Sequence, residues 1–422
     1  RGGTFTDCIG IAPDGSLHTA KRLSSDAAPG EGIREILVRT GAAAPGEPPP
    51  PCTVKLGTTV ATNALLERRG ARTLLVTNRG LGDLLEIGTQ ARPELFELEI
   101  RKPSPLHERA LELPGRLGLG GSEPEPLDEA MAREALAAAL EEGFHSVAIV
   151  GIHSYADPVL EMRLAEIARE VGFPYVVASS EIAREMGMLA RGETASTDAY
   201  LTPLLQAHVR KLESALPGAR LAFMQSSGGL TDARRFRGPG ALLSGPAGGV
   251  VGAARVAAEA GYASAVGFDM GGTSTDVSLI EGGECERAFE TTVAGVRVKA
   301  PMLRIHTVAA GGGSLCRFDG FRLAVGPESA GADPGPLCYG RAGSVADAAP
   351  QDPSAEPPRD AGPSEGLALT DANLFLGRIQ PERFPFPLHR APVDAALAAL
   401  EGELHAAGHS LSREEIAAGF VE

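Results

Sequence analysis

Residues 268–280 read Phe-Asp-Met-Gly-Gly-Thr-Ser-Thr-Asp-Val-Ser-Leu-Ile, and this stretch decides the fold. An apolar strand over 264–268 breaks at two glycines and resumes as a second apolar run, with the spacing of a β-hairpin. Glycine lacks a Cβ, so backbone N–H groups can approach anionic oxygens closely, and the hydroxyl groups that follow add donors. A phosphate-binding tip is therefore predicted at Gly271, Gly272, Thr273 and Ser274. A single copy of this pattern is more often only a tight hairpin with a polar tip.

Two carboxylates flank this tip, Asp269 before the glycines and Asp276 after them. Being negative, they cannot donate hydrogen bonds to phosphate. Carboxylates near phosphate instead hold Mg²⁺ through water or orient an attacking nucleophile. We predict Asp269 as the metal residue, and both aspartates as catalytic residues.

A near copy of the tip begins the chain. Residues 2–7 read Gly-Gly-Thr-Phe-Thr-Asp and match residues 271–276 at every position but one. The pair resembles the phosphate-one and phosphate-two loops of the actin, Hsp70 and sugar-kinase ATPases, in which each of two similar lobes gives one hairpin to the nucleotide. That resemblance implies an α/β fold with two ribonuclease H-like lobes. It adds nucleotide contacts at Gly2, Gly3, Thr4 and Thr6 and a catalytic candidate at Asp7.

Composition bounds the class of protein. The 422 residues are 43% hydrophobic, enough for two or three cores. A net charge of -15 argues against a nucleic-acid or anionic-membrane partner. No apolar run approaches the ~20 residues of a membrane helix. The five cysteines are odd in number and lack metal-site pairing, which predicts reduced thiols in a cytosolic protein.

Apolar runs at 73–77, 146–150 and 175–178 alternate with helical patterns at 127–142 and 159–171. Alternation of strands with helices of this length is typical of a parallel sheet with helical crossovers. The sequence therefore predicts an α/β layer in its first half.

Several local signals accompany this layer. Asp128 and a Ser412/Glu415 capping box predict helix starts. Gly70 is predicted as a left-handed helix end. A β-rich excursion is predicted over 106–121, and a helix over 198–216.

The chain changes character near residue 190, which predicts an N-terminal lobe over 1–190 and an ATPase lobe over 191–422. Residues 346–365 are rich in Pro, Ala, Asp and Ser, and predict a disordered insertion within the second lobe. Because the first residue is Arg and the last predicted helix is cut at Glu422, we expect the chain to be truncated at both ends.

A further candidate site follows a short strand at 54–56. The Gly-Thr-Thr junction at 57–59 leads into a helix, and such a junction either binds an anion or caps the helix with a threonine hydroxyl. Both readings stay open. Candidate substrate contacts are Thr58, Thr59 and Asn63, together with Arg92 as a bidentate partner for a substrate carboxylate.

A triple glycine at Gly311, Gly312 and Gly313 ends a later predicted strand. In the ATPase superfamily, glycines after a strand let the adenosine lie against bare backbone, and the resemblance implies that role here. A loop hinge would use the same residues.

Eight motifs together resemble the hydantoinase A/oxoprolinase family and cover almost the whole chain. They are Arg-Gly-Gly-Thr-Phe-Thr-Asp (1–7), Gly-Thr-Thr-Val-Ala-Thr-Asn-Ala-Leu-Leu-Glu-Arg (57–68), Ile-Gly-Thr-Gln-Ala-Arg-Pro (87–93), Leu-Ser-Gly-Pro-Ala-Gly-Gly-Val-Val-Gly (243–252), Gly-Phe-Asp-Met-Gly-Gly-Thr-Ser-Thr-Asp-Val-Ser (267–278), Val-Ala-Ala-Gly-Gly-Gly-Ser (308–314), Gly-Pro-Glu-Ser-Ala-Gly-Ala-Asp-Pro-Gly-Pro (326–336) and Thr-Asp-Ala-Asn-Leu (370–374).

The resemblance implies ATP-dependent opening of a five-membered lactam, in which 5-oxo-L-proline, ATP and water give L-glutamate, ADP and phosphate. It also implies Mg²⁺, with K⁺ as a second candidate, a hydantoinase B-like half, fused or separate, and a cytosolic homodimer. The alternatives are action on hydantoin or N-methylhydantoin, an acetone carboxylase-like subunit, and a nucleotide-binding module of the same fold without enzymatic activity.

Overall fold

The computed structural model describes residues 2, 4–89, 96–99, 102–118, 125–341 and 366–422. The predictions for Gly3, for Arg92 and for the insertion at 346–365 lie outside these residues. Within the described ranges, none of the helices combines the length and the apolar character needed to cross a bilayer.

The described chain mixes helices and strands, as predicted. The helices are α1 (Ala28–Arg39), α2 (Val60–Leu66), α3 (Leu84–Ile87), α4 (Glu129–Glu141), α5 (Val159–Val171), α6 (Ser179–Ile182), α7 (Met188–Ala215), α8 (Gly238–Ala241), α9 (Ser244–Glu259), α10 (Leu369–Phe375), α11 (Arg390–Ala406) and α12 (Arg413–Val421). Short 3-10 helices cover Ala233–Arg235, Leu337–Tyr339 and Pro381–Arg383.

The strands fall into several small sheets. They are β1 (Phe5–Ile11), β2 (Leu17–Leu23), β3 (Thr53–Leu56), β4 (Thr73–Asn78), β5 (Arg109–Leu113), β6 (Ser146–Val150), β7 (Tyr175–Ala178), β8 (Arg220–Met224), β9 (Leu230–Asp232), β10 (Ala265–Met270), β11 (Thr275–Glu281), β12 (Glu284–Cys285), β13 (Arg287–Ala288), β14 (Thr291–Val293), β15 (Val296–Val298), β16 (Met302–Leu303), β17 (Ile305–Val308), β18 (Ser314–Phe318) and β19 (Leu323–Ser329).

Contacts divide the chain into two compact units, each assembled from separated stretches. Unit 1 contains residues 1–47, 257–283 and 305–422, and unit 2 contains residues 48–256 and 284–304. The boundaries of these units do not fall at residue 190, where the sequence predicted a division. Residue 190 lies inside α7, which begins at Met188 and whose alanines pack on the strands that precede it. The division at 190 stays a prediction drawn from the motifs.

Unit 2 contains the predicted parallel sheet, with strand order β5-β4-β6-β7 and all pairs parallel. Successive residues of a strand point to opposite faces, so both faces of each buried strand need a helical layer. Leu74 and Val76 pack with the residues of α4 and α5 on one face. Leu75 lies on the other face, in a cluster with Ala195 and Ala199 of α7.

The predicted caps are confirmed. The Asp128 carboxylate accepts a hydrogen bond from the Met131 N–H at 2.9 Å at the start of α4. At the start of α12, Ser412 Oγ accepts from the Glu415 N–H, and the Glu415 carboxylate accepts from the Ser412 N–H at 2.8 Å. Both arrangements satisfy N–H groups that have no partner within the helix.

Three local predictions are wrong. The residue with a left-handed backbone after α2 is Arg68, with φ of 52°, and not Gly70. Glycine is required at position 70 because a Cβ there would lie 2.2 Å from the ring of Tyr200. The 106–121 segment is no separate β excursion, since its strand β5 pairs in parallel with β4. The helix expected to begin at Asp198 begins ten residues earlier.

Unit 1 contains the first hairpin, the antiparallel strands β10, β11 and β17, and the C-terminal helices. Phe5 of the hairpin packs edge-on against Phe384 and Tyr339 and stacks with Phe386. These rings adjoin the apolar core made by α10, α11 and α12. None of the five cysteines, all of which are described, forms a disulfide. Their reduced state stays a prediction.

Candidate functional site

The two copies of the Gly-Gly-Thr motif meet inside unit 1. In the second copy, the antiparallel pair β10 and β11 is closed by a hydrogen bond from the Gly271 N–H to the Ser274 carbonyl at 2.9 Å. A Cβ placed on Gly272 would lie 2.3 Å from Oγ1 of Thr4 in the first copy. Thr4, which directly precedes β1, is therefore in contact with the second tip, while the turn that joins β1 to β2 lies at residues 12–16. This close approach is possible only because residue 272 lacks a side chain.

The triple glycine lies against the same tip. The N–H groups of Gly312 and Gly313 donate to the carbonyls of Gly271 and Gly272 at 2.9 and 2.6 Å. A Cβ on Gly311 would lie 2.8 Å from three backbone atoms of the second tip. The bare backbone of the triple glycine and of the second tip thus forms one cluster, which Thr4 contacts through its side chain.

These contacts give the triple glycine a role in packing. Its three N–H groups all have acceptors inside the protein, because Gly311 donates to Ser314 Oγ at 2.9 Å while Gly312 and Gly313 donate to the second tip. They are not free to bind a nucleotide. The implied contact between this segment and adenosine stays a prediction.

Donors for an anion remain at the second tip. Among the described residues, the N–H groups of Gly272 and Thr273 have no hydrogen-bond acceptor, and Thr273 is exposed. Consecutive N–H groups without partners, next to hydroxyl side chains, form the concave donor set that phosphate oxygens require. This arrangement agrees with the predicted phosphate contacts at Thr273 and Ser274.

The two predicted carboxylates stand side by side. Asp269 pairs directly with Asp276 across β10 and β11, and Asp276 pairs with Thr307 of β17. Directly opposed residues in an antiparallel pair share a face, with Cβ atoms roughly 5 Å apart. The Thr307 hydroxyl donates to Asp276 Oδ1 at 2.6 Å.

This position changes the acidity of one carboxyl. Burial raises the pKa of Asp276 above its usual value, the negative charge of Asp269 raises it further, and the hydrogen bond from Thr307 opposes both effects. Asp276 thus accepts a proton more readily than a carboxylate with an ordinary pKa.

The oxygen atoms of the adjacent Asp269, Asp276 and Thr307 side chains suit Mg²⁺. That ion keeps several waters and takes one or two carboxylates together with phosphate oxygens. The described residues contain no cluster of three or more His, Cys, Asp or Glu side chains able to hold a metal ion by themselves. Phosphate oxygens at the neighbouring tip would complete the shell around Asp269.

The first hairpin is not equivalent to the second. Asp7, the sequence counterpart of Asp276, is exposed and forms an ion pair with Lys21 at 2.8 Å. Thr6 is 2% exposed, and its hydroxyl lies 3.0 Å from Ser24 Oγ. Ser24 Oγ donates in turn to the carbonyl of Gly2 at 2.7 Å. These bonds fix the hairpin, and the predicted roles of Thr6 and Asp7 in catalysis and phosphate binding stay predictions.

The predicted substrate residues of unit 2 lie at the junction of β3 and α2. The Thr58 N–H donates to Ser244 Oγ at 3.1 Å, so this junction meets the first residue of α9. Thr58 is 1% exposed, and its hydroxyl accepts from the Val60 N–H at 3.2 Å. The residue at the N-cap of α2, Thr59, makes no side-chain cap hydrogen bond, so both readings of this junction stay open. Thr59 and Asn63 stay candidate substrate contacts.

Sequence reasoning missed three polar residues around the glycine cluster, Thr307, Thr370 and Asp371. Asp371 is fully buried and accepts from the N–H groups of Ala368, Leu337 and Cys338 at 2.8 to 3.1 Å. The Thr-Asp-Ala-Asn-Leu motif contains two of these residues, but nothing in its local pattern indicates contacts with residues 312, 337 or 338.

The α/β units and the paired Gly-Gly-Thr hairpins define the class of the protein, and two family models match it. The hydantoinase/oxoprolinase N-terminal region matches residues 1–172, and the hydantoinase/oxoprolinase model matches residues 191–350. The chain belongs to the hydantoinase/oxoprolinase family.

Relatives within the family are longer than this chain. 5-Oxoprolinase 1 of Arabidopsis thaliana is 39% identical over 471 residues, covering 100% of this chain and 35% of that protein. The caprolactamase subunit alpha of Pseudomonas jessenii is 33% identical over 398 residues, covering 89% of this chain and 53% of that subunit. The chain spans about a third of the length of the 5-oxoprolinase it matches.

Two solved structures resemble the chain over its length. Nucleotide-free acetone carboxylase, from work on ATP-dependent acetone carboxylation, has a TM-score of 0.77 at 24% identity, covering 99% of this chain and 59% of that one. The ATP-dependent caprolactamase of Pseudomonas jessenii has a TM-score of 0.72 at 29% identity, covering 100% of this chain and 60% of that one. The first of these shows the fold alone.

Proposed function

We propose that the chain binds ATP and takes part in the ATP-dependent hydrolytic opening of a cyclic amide, with 5-oxo-L-proline as the first candidate substrate. One observation carries the proposal: Thr4, residues 271–273 and residues 311–313 converge, and among the described residues the N–H groups of Gly272 and Thr273 have no acceptor. The 5-oxoprolinase and ATP-dependent caprolactamase relatives support the reaction class.

The finer fold that we propose is the two-lobed actin, Hsp70 and sugar-kinase type with ribonuclease H-like lobes. The near-identical hairpins at 2–7 and 271–276 support it. One feature departs from the expected plan, since both hairpins belong to the same compact unit. The packing of Phe5 on the aromatic residues near the C-terminal helices accounts for this.

The chemistry explains the requirement for ATP. An amide carbonyl is a poor electrophile, and transfer of the γ-phosphoryl group to its oxygen activates the ring carbon towards water. The tetrahedral adduct then expels the ring nitrogen, which takes up a proton, and a second water hydrolyses the resulting acyl phosphate to carboxylate and phosphate. In this proposal the N–H groups of Gly272 and Thr273 hold phosphate oxygens and stabilise the charge that develops during transfer. Asp269 orients Mg²⁺ or its water, and Asp276 accepts a proton from the attacking water. Mg²⁺ would neutralise charge on the phosphates, and K⁺ is a second candidate ion.

The substrate contacts are proposed on less direct grounds. Thr59 and Asn63 lie at the start of α2, beside the buried Thr58. Arg92 is proposed to pair with the carboxylate of 5-oxo-L-proline, because guanidinium and carboxylate groups form bidentate pairs.

A second polypeptide is part of the proposal. The match to 35% of a 5-oxoprolinase, and to a caprolactamase subunit named alpha, supports a hydantoinase B-like half, fused or separate. We propose that this half completes the hydrolytic step, and that the assembly is a cytosolic homodimer.

The test measures ADP release by the chain together with a hydantoinase B-like polypeptide, with and without 5-oxo-L-proline. The expected result is stimulation by the lactam and its loss in the Gly272→Asp variant. If the lactam leaves ADP release unchanged while Gly272→Asp abolishes ATP binding, the chain is a nucleotide-binding module and not a lactam-opening enzyme. Hydantoin, N-methylhydantoin and caprolactam, assayed in parallel, rank the substrates.

A further inference from the structure

Thr370 contacts the glycine cluster at Gly312. Its N–H and its hydroxyl both donate to the carbonyl of Gly312, each at 2.7 Å. The N–H of the same Gly312 donates to Gly271 at 2.9 Å. Gly312 therefore links Thr370 to the second tip, because its carbonyl accepts two hydrogen bonds from Thr370 and its N–H donates one to Gly271.

The approach of Thr370 is as close as the backbone permits. A Cβ on Gly312 would lie 2.7 Å from Thr370 Oγ1. The next residue in the triple glycine is confined as well, since a Cβ on Gly313 would lie 2.9 Å from both the Gly272 carbonyl and Ser329 Oγ. The triple glycine thus has close neighbours in both the second tip and in Thr370 and Ser329, so the Thr370 bond to Gly312 acts on the segment that contacts the tip.

Thr370 is itself fixed by its neighbour. Asp371 is fully buried, and its carboxylate accepts hydrogen bonds from the N–H groups of Ala368, Leu337 and Cys338. The flanking Leu369 and Ala372 lie in the apolar core that α10 shares with α11 and α12. A backbone held from both sides in this way presents the Thr370 hydroxyl in one position.

We propose that Thr370 is a positioning residue for nucleotide binding, which sets the position of the Gly271-Gly272 tip through Gly312. This inference rests on the proposed function of that tip and adds a residue that touches neither phosphate nor lactam. Its hydroxyl bond to Gly312 is the part that a substitution can remove while the backbone N–H bond stays.

The test is the affinity of the chain for the non-hydrolysable analogue AMP-PNP, measured by titration calorimetry on the wild type and on Thr370→Val. Loss of one intramolecular hydrogen bond shifts an equilibrium by about three- to tenfold. We expect Thr370→Val to weaken AMP-PNP binding by about that factor, and Thr370→Ser, which keeps the hydroxyl, to restore it.

A matched control is available at the end of α1 in the same unit. Thr40 is half-buried like Thr370, and its hydroxyl likewise donates to a backbone carbonyl, that of Ile36, at 2.9 Å. Thr40→Val removes the same kind of bond away from the glycine cluster. We expect it to leave the AMP-PNP affinity unchanged, even if its thermal midpoint falls.

The outcomes separate a positioning role for Thr370 in nucleotide binding from a purely structural role. If the wild type binds AMP-PNP and Thr370→Val lowers only the thermal midpoint or the fraction of active protein, with an unchanged Kd, Thr370 is merely structural and the inference is overturned. If the wild type itself does not bind AMP-PNP, the proposed function fails first.

Discussion

The substitution Gly272→Ala tests whether the second tip meets Thr4 as closely as described. A Cβ at position 272 would lie 2.3 Å from Thr4 Oγ1 and 3.2 Å from Thr4 Cβ, against 3.4 to 4 Å for ordinary contact. Thr4 is 7% exposed, and its carbonyl accepts from the Ser24 N–H, so it has little room to move. Overpacking of this kind costs about 1–3 kcal/mol, which corresponds to about a 5- to 150-fold change in an equilibrium constant.

The neighbouring glycine provides the control. A Cβ on Gly271 would meet only the Ser274 carbonyl, at 3.3 Å, and neither glycine has a φ in the left-handed region that would strain an alanine. The two variants therefore differ chiefly in the contact with Thr4. We expect Gly272→Ala to lower the urea midpoint and weaken AMP-PNP binding, while Gly271→Ala has a much smaller effect on both.

A double variant tests the steric argument directly. Thr4→Ala removes the Oγ1 that lies 2.3 Å from the added Cβ, so the stability lost in Gly272→Ala should be partly regained when both substitutions are combined. Urea unfolding of the wild type, both single variants and the double variant closes this cycle. The reasoning is refuted if Gly272→Ala unfolds and binds AMP-PNP as Gly271→Ala does, or if Thr4→Ala restores nothing.

Three further predictions concern charge and packing. Because burial raises the pKa of Asp276 in the folded chain, its favourable contribution is present below the unfolded pKa and is lost as pH rises through the folded pKa. Asp276→Asn should therefore be more stable than the wild type in urea at neutral pH, with a smaller advantage in acid, and should lose lactam-dependent ADP release. Asp371→Asn replaces a carboxylate oxygen that accepts N–H bonds by an amide donor, and should lower the free energy of unfolding by about 1–3 kcal/mol in urea titrations. Alanine at Gly402, where nothing lies within 4 Å of the added Cβ in helix α11, should raise the thermal midpoint through a gain of about 0.5–1 kcal/mol, whereas alanine at Gly70 should lower it by collision with the Tyr200 ring.

The parallel layer was the most predictable part of the fold. Strands β4, β6 and β7 appear within a residue of their predicted bounds, because strands buried on both faces are nearly continuous apolar runs. The start of α7 was missed for the opposite reason. Its first turns bury polar side chains, including Arg191, Thr194 and Thr197, and a helix buried with such residues shows no apolar periodicity.

By itself, the sequence determined that the chain is an α/β protein of the hydantoinase/oxoprolinase family with a duplicated Gly-Gly-Thr motif. These properties are local, because each depends on residue types within one short stretch. Only the tertiary structure decided that the triple glycine packs on the second tip, that Asp7 pairs with Lys21 while its counterpart Asp276 faces Asp269, and that Thr307 and Thr370 donate to Asp276 and Gly312. Apart from the Asp7–Lys21 and Asp269–Asp276 pairs, each within one hairpin, these contacts join residues about 30 or more positions apart, and no periodicity or motif spacing records which distant segments the packing of the core brings together.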